Sequence, residues 1–295
     1  MARSVLLVCL LSVLAVPARS QTLRVLVTND DGIGAPGIAA VVDELQLNPN
    51  LVIDIVAPAM NQSGTGDAFN TNIGVVAGTT ATGDVGYAVS GKPADCVLWG
   101  LFSGVLSAPD IVVSGINAGQ NIGRAVVEDI SGTDGAASIA ARRGVPAIAV
   151  SLGLFGTNYG PAAKYVANVV EDFRVKPRLK KKMTSKSGLD QRLWINVNFP
   201  DCPTVRGVVV VPLAESQTIL GGFVTGYTLT GPGMYHATVS STNALVTDCN
   251  STLEQPTTDI EAMNNGFASV TALNPTLTPD SKLRKFRFLA RFPFN

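Results

Sequence analysis

A single histidine, His236, and four cysteines are the only imidazole and thiol groups in the chain. A zinc centre built on several imidazoles is therefore excluded. His236 lies in a stretch rich in Gly, Thr and Ser and reads as a surface residue. Charge is scarce as well: Asp, Glu, Lys and Arg make up 15 % of the residues, with 22 basic and 22 acidic side chains in balance. Without a basic excess, nothing points to a polymeric nucleic acid as partner. The one basic cluster, Lys176 to Lys186, contains Pro177 and no aromatics, and reads as a solvated loop. Past the first twenty residues no apolar run reaches membrane-spanning length, because charge, Gly or Pro interrupts each one.

The first twenty residues follow a different pattern. Arg3 gives a positive start, Val5 to Val16 is a short apolar run, and Ala18-Arg19-Ser20 places small residues before Gln21. That is the layout of a cleaved secretory signal. Its removal leaves 275 residues (295 − 20), with 20 basic (22 − 2) against 22 acidic side chains and a formal charge of −2. The expectation is an exported, secreted protein whose residues 21–295 form a single domain without a membrane span. In an oxidising compartment Cys202 and Cys249, which flank a turn-rich region, could pair as a disulfide. Cys96, in an apolar stretch, reads as a buried thiol. Sequons occur at Asn61 and Asn250, and Asn250, beside Cys249, is the better glycan acceptor.

Short apolar runs alternate with helical patterns along the N-terminal half. Leu23 to Val27, Leu51 to Val56, Ile111 to Val113 and Ala147 to Val150 are nearly continuous in aliphatic residues and read as buried strands. Gly37 to Leu45, Ala94 to Leu106 and Gly135 to Arg143 carry apolar residues at helical spacing. This alternation predicts an α/β fold: a doubly wound, mainly parallel sheet covered on both faces. Further strands are expected over Leu193 to Phe199, Gly207 to Val211 and Phe267 to Leu273, and a short helix over Asp259 to Asn265. The Gly-, Thr- and Ser-rich stretch over roughly 213–250 suggests a C-terminal β-hairpin arm.

In such a sheet, ligands bind beyond the carboxyl ends of the strands. Three of these ends carry polar, turn-forming sequences. Thr28-Asn29-Asp30-Asp31-Gly32 follows the first strand, Asn61-Gln62-Ser63-Gly64 the second, and Ser114-Gly115-Ile116-Asn117-Ala118-Gly119-Gln120-Asn121 the third. Adjacent carboxylates repel unless a cation or a proton separates them. Carboxylates joined by hydroxyl and amide oxygens form an all-oxygen site, which suits Mg²⁺ or Mn²⁺, with Ca²⁺ as a further candidate, over zinc. Ser131-Gly132-Thr133 then opens a small-residue helix, and free N–H groups at a helix start favour an anion such as phosphate. Taken singly, Asp-Asp-Gly is an ordinary turn and Ser131 an ordinary helix cap; it is their meeting on one rim that gives them chemical meaning.

These segments resemble the survival-protein SurE family of metal-dependent phosphatases and nucleotidases. The resemblance rests on Thr28-Asn-Asp-Asp-Gly32, Ala57-Pro58 with Gln62-Ser-Gly64, Gly91-Lys-Pro-Ala-Asp-Cys-Val97, Val113-Ser-Gly-Ile-Asn-Ala-Gly-Gln-Asn121, Ser131-Gly-Thr133 and Gly144-Val-Pro-Ala-Ile-Ala-Val-Ser151. It resumes at Asn196-Val-Asn-Phe-Pro200 and over Thr258 to Phe267. It implies one divalent metal ion held by Asp30, Asp31, Ser63 and Asn117, hydrolysis of nucleoside monophosphates and other phosphate monoesters, and assembly into a homodimer or higher homo-oligomer through the arm. On this reading Asp30 and Asp31 are the catalytic carboxylates, and Asn29, Asn121, Ser131, Gly132 and Thr133 orient the phosphate. The region 213–250 departs from the family pattern.

Two rival readings compete. Gly32-Ile-Gly34-Ala-Pro-Gly37 spells a dinucleotide-binding fingerprint after a strand, with Asp54 standing 22 residues beyond Gly32. Against it, Asp30 and Asp31 would repel a pyrophosphate, and Asp54 falls inside the second strand rather than at its tip. The other rival is an exported binding protein that keeps the fold without catalysis.

Overall fold

The structure, a computed structural model, describes residues 22–154, 156–184, 192–215, 226–238, 247–274 and 283–294. The segment read as a secretory signal lies outside the described residues, as do parts of the arm.

Strand β1 (Leu23–Thr28) pairs in parallel with β2 (Leu51–Pro58) on one side and β5 (Ile111–Ala118) on the other. The sheet continues through β6 (Ala147–Leu152), parallel to β5, and β7 (Trp194–Phe199), parallel to β6. Beyond β2 come β4 (Val85–Val89), parallel to it, and the antiparallel edge strand β3 (Val75–Thr79). At the other edge, β11 (Ala268–Leu273) runs antiparallel to β7 and carries β8 (Val208–Val210). The full order is β3-β4-β2-β1-β5-β6-β7-β11-β8. The chain leaves β1 in one direction to β2 and returns to the far side of β1 as β5, so the switch point lies between β1 and β5.

The aliphatic runs are continuous because both faces are covered. Val25 and Val27 point into one core cluster and Leu26 into the other, as do Ile111 and Val113 against Val112. The first cluster takes α1 (Pro36–Gln46) and α4 (Gly160–Val175) through Ile38, Val41, Leu45, Tyr165 and Phe173; the second takes α2 (Pro93–Phe102) and α3 (Gly132–Arg142) through Val97, Ala136 and Ala140. Two glycines set close approaches. A Cβ on Gly37 would lie 1.9 Å from the Ile116 carbonyl oxygen, so α1 can press on β5 only without one. A Cβ on Gly135 would lie 2.1 Å from the Gly66 carbonyl oxygen, so the same economy lets the loop after β2 touch the first turn of α3.

The doubly wound reading holds, with differences. The third strand extends to Ala118, which carries Asn117 on the strand itself. The second helix stops at Phe102 rather than continuing to Leu106. The basic cluster is not simply a loop: Pro177–Met183 forms helix α5, started by Pro177 and anchored by buried Leu179 and Met183. Its last two positions, 185–186, lie outside the described residues. Within the arm, β9 (Gly226–Gly231) and β10 (Met234–Thr238) form an antiparallel hairpin separate from the main sheet. It holds His236, which is exposed, and Tyr227, Leu229, Met234 and Tyr235 are more than half exposed. The short helix α6 is Asp259–Asn264. Cys202 and Cys249 form a disulfide, and Cys96 is free and buried. Among the described residues no helix is long and apolar enough to cross a membrane.

Candidate active site

All the parallel strands end at one edge, so the segments after β1, β2 and β5 and the start of α3 meet there. Asp30 is buried to 2 % exposure against the first turn of α3. The Thr133 hydroxyl donates to its Oδ1 at 2.8 Å. Gly132 lies so close that a Cβ there would be 3.0 Å from Asp30 Oδ2. Burial pushes the Asp30 carboxyl up to about 6; the Thr133 hydroxyl opposes this and the Asp31 charge adds to it. No cationic side chain is among the groups acting on it.

Asp31 is the more open carboxylate and ties two of the loops together. Its Oδ1 accepts from Asn61 Nδ2 at 3.2 Å, and its Oδ2 accepts from the Ala118 N–H at 2.9 Å. Asn61 Oδ1 in turn accepts from the Ser63 N–H at 2.9 Å, which fixes the turn carrying exposed Ser63. Ala118 is the neighbour of Asn117, whose Nδ2 donates to the Gly119 carbonyl at 2.7 Å; the amide oxygen is thereby left as the group to meet a ligand. The Asp31 carboxyl is raised by burial, and these hydrogen bonds work against the rise. Asp30, Asp31, Ser63 and Asn117 thus belong to one hydrogen-bonded edge.

The residues expected to orient phosphate divide. Asn29 is fully buried; its Nδ2 donates to the Gly32 carbonyl at 2.8 Å, and its Oδ1 has no partner among the described residues. Ser131 caps α3, its Oγ accepting from the Asp134 N–H at 3.0 Å and facing Asp134 Oδ2 at 3.1 Å, so that hydroxyl is spent inside the protein. Asn121 donates through Nδ2 to Ser151 Oγ at 2.8 Å and to Thr133 Oγ1 at 3.3 Å, so both of its amide hydrogens point inward. Asp134, wholly buried beneath this turn, accepts from Trp194 Nε1 at 3.3 Å, and burial pushes its carboxyl up to about 7.

Sequence reasoning passed over several residues of this site. Asn196 and Asn198 on β7 are buried and bonded to Asn121, and Tyr159, at the start of α4, lies near enough to Asp31 that burial and that charge both raise its phenol. The signal for the asparagines was available: two amides alternating with Ile195 and Val197 put polar groups on one face of a wholly buried strand, where each must find a partner. Asp54 does not stand at a strand tip; it is held mid-strand by Arg24 at 2.7 Å, away from any ribose position.

A divalent cation fits the residues present. Among the described residues the two adjacent carboxylates have no cationic partner and the buried Asn29 amide oxygen has no hydrogen-bond partner; they join neutral oxygens from the loop after β2 and the end of β5 in a hard, oxygen-only environment. Among the described residues no group of three or more His, Cys, Asp or Glu side chains could hold a metal. An ion at this edge would therefore depend on two carboxylates supplemented by Ser and Asn.

Fold and edge together define a doubly wound α/β protein with a paired-carboxylate site at its switch point. Residues 25–218 match the family described as Survival protein SurE, and the chain belongs to that family. The "5'-nucleotidase SurE" of Desulfitobacterium hafniense is 34 % identical over 279 residues, covering 90 % of this chain and 96 % of its own. That of Geobacter sulfurreducens is 34 % identical over 261 residues, covering 87 % and 89 %. The crystal structure of the SurE protein from Aquifex aeolicus superposes with a TM-score of 0.63 at 26 % identity, covering 90 % of this chain and 99 % of that one.

Proposed function

We propose that the chain is a divalent-metal-dependent phosphomonoesterase that hydrolyses nucleoside monophosphates and related phosphate monoesters. The observation that carries the reading is Asp31: one carboxylate accepts from both the Ser63 loop and the Asn117 segment, beside a second, buried carboxylate. Relatives 34 % identical over nearly the whole chain bear the name 5'-nucleotidase.

Asp30, Asp31, Ser63 and Asn117 would hold the ion, with Mg²⁺ or Mn²⁺ favoured by the oxygen donors. When bound, it supplies charge neutralisation for the phosphoryl oxygens and acidifies water. Phosphoryl transfer asks mainly for positioning and electrostatics, and the chain's own groups provide these. Asp31, the more open carboxylate, accepts the proton of the attacking water. Asn29 and the Gly132–Thr133 turn orient the phosphate at the start of α3, where the helix dipole favours negative charge. Ser131 and Asn121 support that turn from behind. In this reading the mature protein, without its first twenty residues, is exported and self-associates through its arm into a dimer or larger assembly.

The test measures phosphate release from nucleoside monophosphates and a generic aryl phosphate, with and without chelator, in the native protein, Asp31→Asn and Asn117→Ala. Chelation should abolish turnover, and each variant should lose at least about 100-fold in kcat/KM while keeping its circular dichroism. Full activity in either variant refutes the site.

A further inference from the structure

Behind the carboxylates lies a buried run of amides and hydroxyls whose hydrogen-bond directions are fixed one by one. Thr133 Oγ1 has one hydrogen, and it is donated to Asp30 Oδ1, 2.8 Å away. Thr133 can then only accept from Asn121, which means that the Asn121 atom facing it at 3.3 Å is the amide nitrogen. The second Asn121 amide hydrogen goes to Ser151 Oγ at 2.8 Å. The Asn121 backbone is gripped in turn by β7. Its N–H donates to Asn198 Oδ1 at 2.7 Å, and its carbonyl accepts from Asn196 Nδ2 at 2.8 Å and Asn198 Nδ2 at 3.0 Å. Asn198 Nδ2 also donates to Asn196 Oδ1 at 3.0 Å, closing the set. Asn121 is 6 % exposed, and Thr133, Ser151, Asn196 and Asn198 are 1 % exposed or less.

We infer that Asn121, locked by Asn196 and Asn198, is a positioning residue for the cation site: it sets the Thr133 hydroxyl rotor so that Asp30 is held through Oδ1, with Oδ2 left for the metal. Asp30 Oδ2 takes no side-chain hydrogen bond among the described residues. An Asn121 with both donors spent inward contributes no amide hydrogen to the phosphate. Its effect reaches the reaction through Thr133 and Asp30 instead. The inference rests on the metal-site reading above and goes further, because it places the control of one ligand in a strand three positions along the sheet from β1.

The experiment titrates the purified, metal-free chain with Mn²⁺, following the free ion by electron paramagnetic resonance, and separately measures KM and kcat. Thr133→Val should weaken Mn²⁺ binding about 10-fold, the scale of losing an outer-shell partner, and Thr133→Ser should restore it. Asn121→Ala should weaken binding to a similar degree, and the double variant Asn121→Ala/Thr133→Val should be no weaker than Thr133→Val alone, because both act through one chain of bonds. Unchanged Mn²⁺ affinity in Asn121→Ala with a raised KM overturns the inference in favour of a direct phosphate contact. So does a double variant whose loss is the product of the two single losses. If Asn121→Ala fails to fold, the Thr133→Val and Thr133→Ser pair decides: equal affinity in both overturns the inference. Asp31→Asn separates the two levels. Native Mn²⁺ affinity there sinks the metal-site reading itself, whereas lost affinity there with native affinity in Thr133→Val sinks only the positioning role.

Discussion

Asp30 and Asp134 are both buried carboxylates with no salt-bridge partner among the described residues. Asp134 is raised to about 7 and Asp30 to about 6 against an ordinary value of 3.8, with burial the largest cause for each. A carboxyl raised in the folded state is protonated there at a pH where the unfolded chain has already released its proton. Folded protein then binds more protons than unfolded, and stability falls as pH rises through the window from about 4 to about 7. The metal-free protein should therefore be most resistant to urea near the acid end of that window and lose roughly a few kcal/mol by neutrality. Added Mg²⁺ or Mn²⁺ should recover the part due to Asp30 and leave the part due to Asp134. Urea titrations across the window, with and without metal, check this; a flat profile in metal-free protein would contradict the burial argument.

Helix α6 is short, yet it joins two functional segments through its first residue. Asp259, fully buried, accepts from the Gly123 N–H at 2.7 Å through Oδ2, and through Oδ1 from the Ala214 N–H at 2.7 Å and the Ile260 N–H at 2.9 Å. Gly123 closes the loop that carries Asn121, and Ala214 stands at the root of the arm. Arg124 strengthens the same junction, its N–H donating to the Ala214 carbonyl at 2.9 Å and its guanidinium gripping Glu215 with two bonds of 2.8 Å. Asp259→Ala leaves two buried backbone donors and one half-buried donor without that acceptor and should cost about 2–4 kcal/mol of stability. Loosening the loop should also lower kcat/KM. Denaturation together with kinetics at a temperature where the variant stays folded checks both effects, and native stability would show that water replaces the carboxylate.

For the whole molecule, the Cys202–Cys249 bond closes a span of 47 residues that contains β8 and the arm hairpin. In the chain-entropy account, closing a loop of that size contributes about 4 kcal/mol, mostly by restricting the unfolded chain. Reductant, or Cys202→Ser with Cys249→Ser, should thus lower the melting temperature by more than about 5 °C, because 1 kcal/mol shifts a domain of this size by about 2–4 °C. Calorimetry of oxidised and reduced protein checks this. The free thiol of Cys96 should stay inert to alkylating agents in both states, since burial raises it above its ordinary range.

Periodicity made the sheet readable. Unbroken aliphatic runs at Leu23 to Val27, Ile111 to Val113 and Ala147 to Val150 can be buried only on both faces, and polar turns after them had to fall on one rim. The clustering of Asp30, Asp31, Ser63 and Asn117 at that rim follows from local chemistry and strand direction. Strands β3 and β4 were not expected, because Val75–Thr79 and Val85–Val89 are brief and each contains a glycine. Helix α5 was concealed by its lysines, whose long side chains hide the burial of Leu179 and Met183 from a reading of charge alone.

Residue type and order along the chain thus settled which segments become strands, which edge they expose and which oxygens arrive there, since those depend on contacts between near neighbours and on the pleat. Folding in three dimensions settled where each hydrogen bond points. Asn121 meets Asn196 and Asn198, 75 and 77 residues away, and Thr133 meets Asp30 across 103 residues. No local pattern encodes which of an amide's two ends faces a hydroxyl; that is fixed only once burial removes water and every donor must find its acceptor inside the protein.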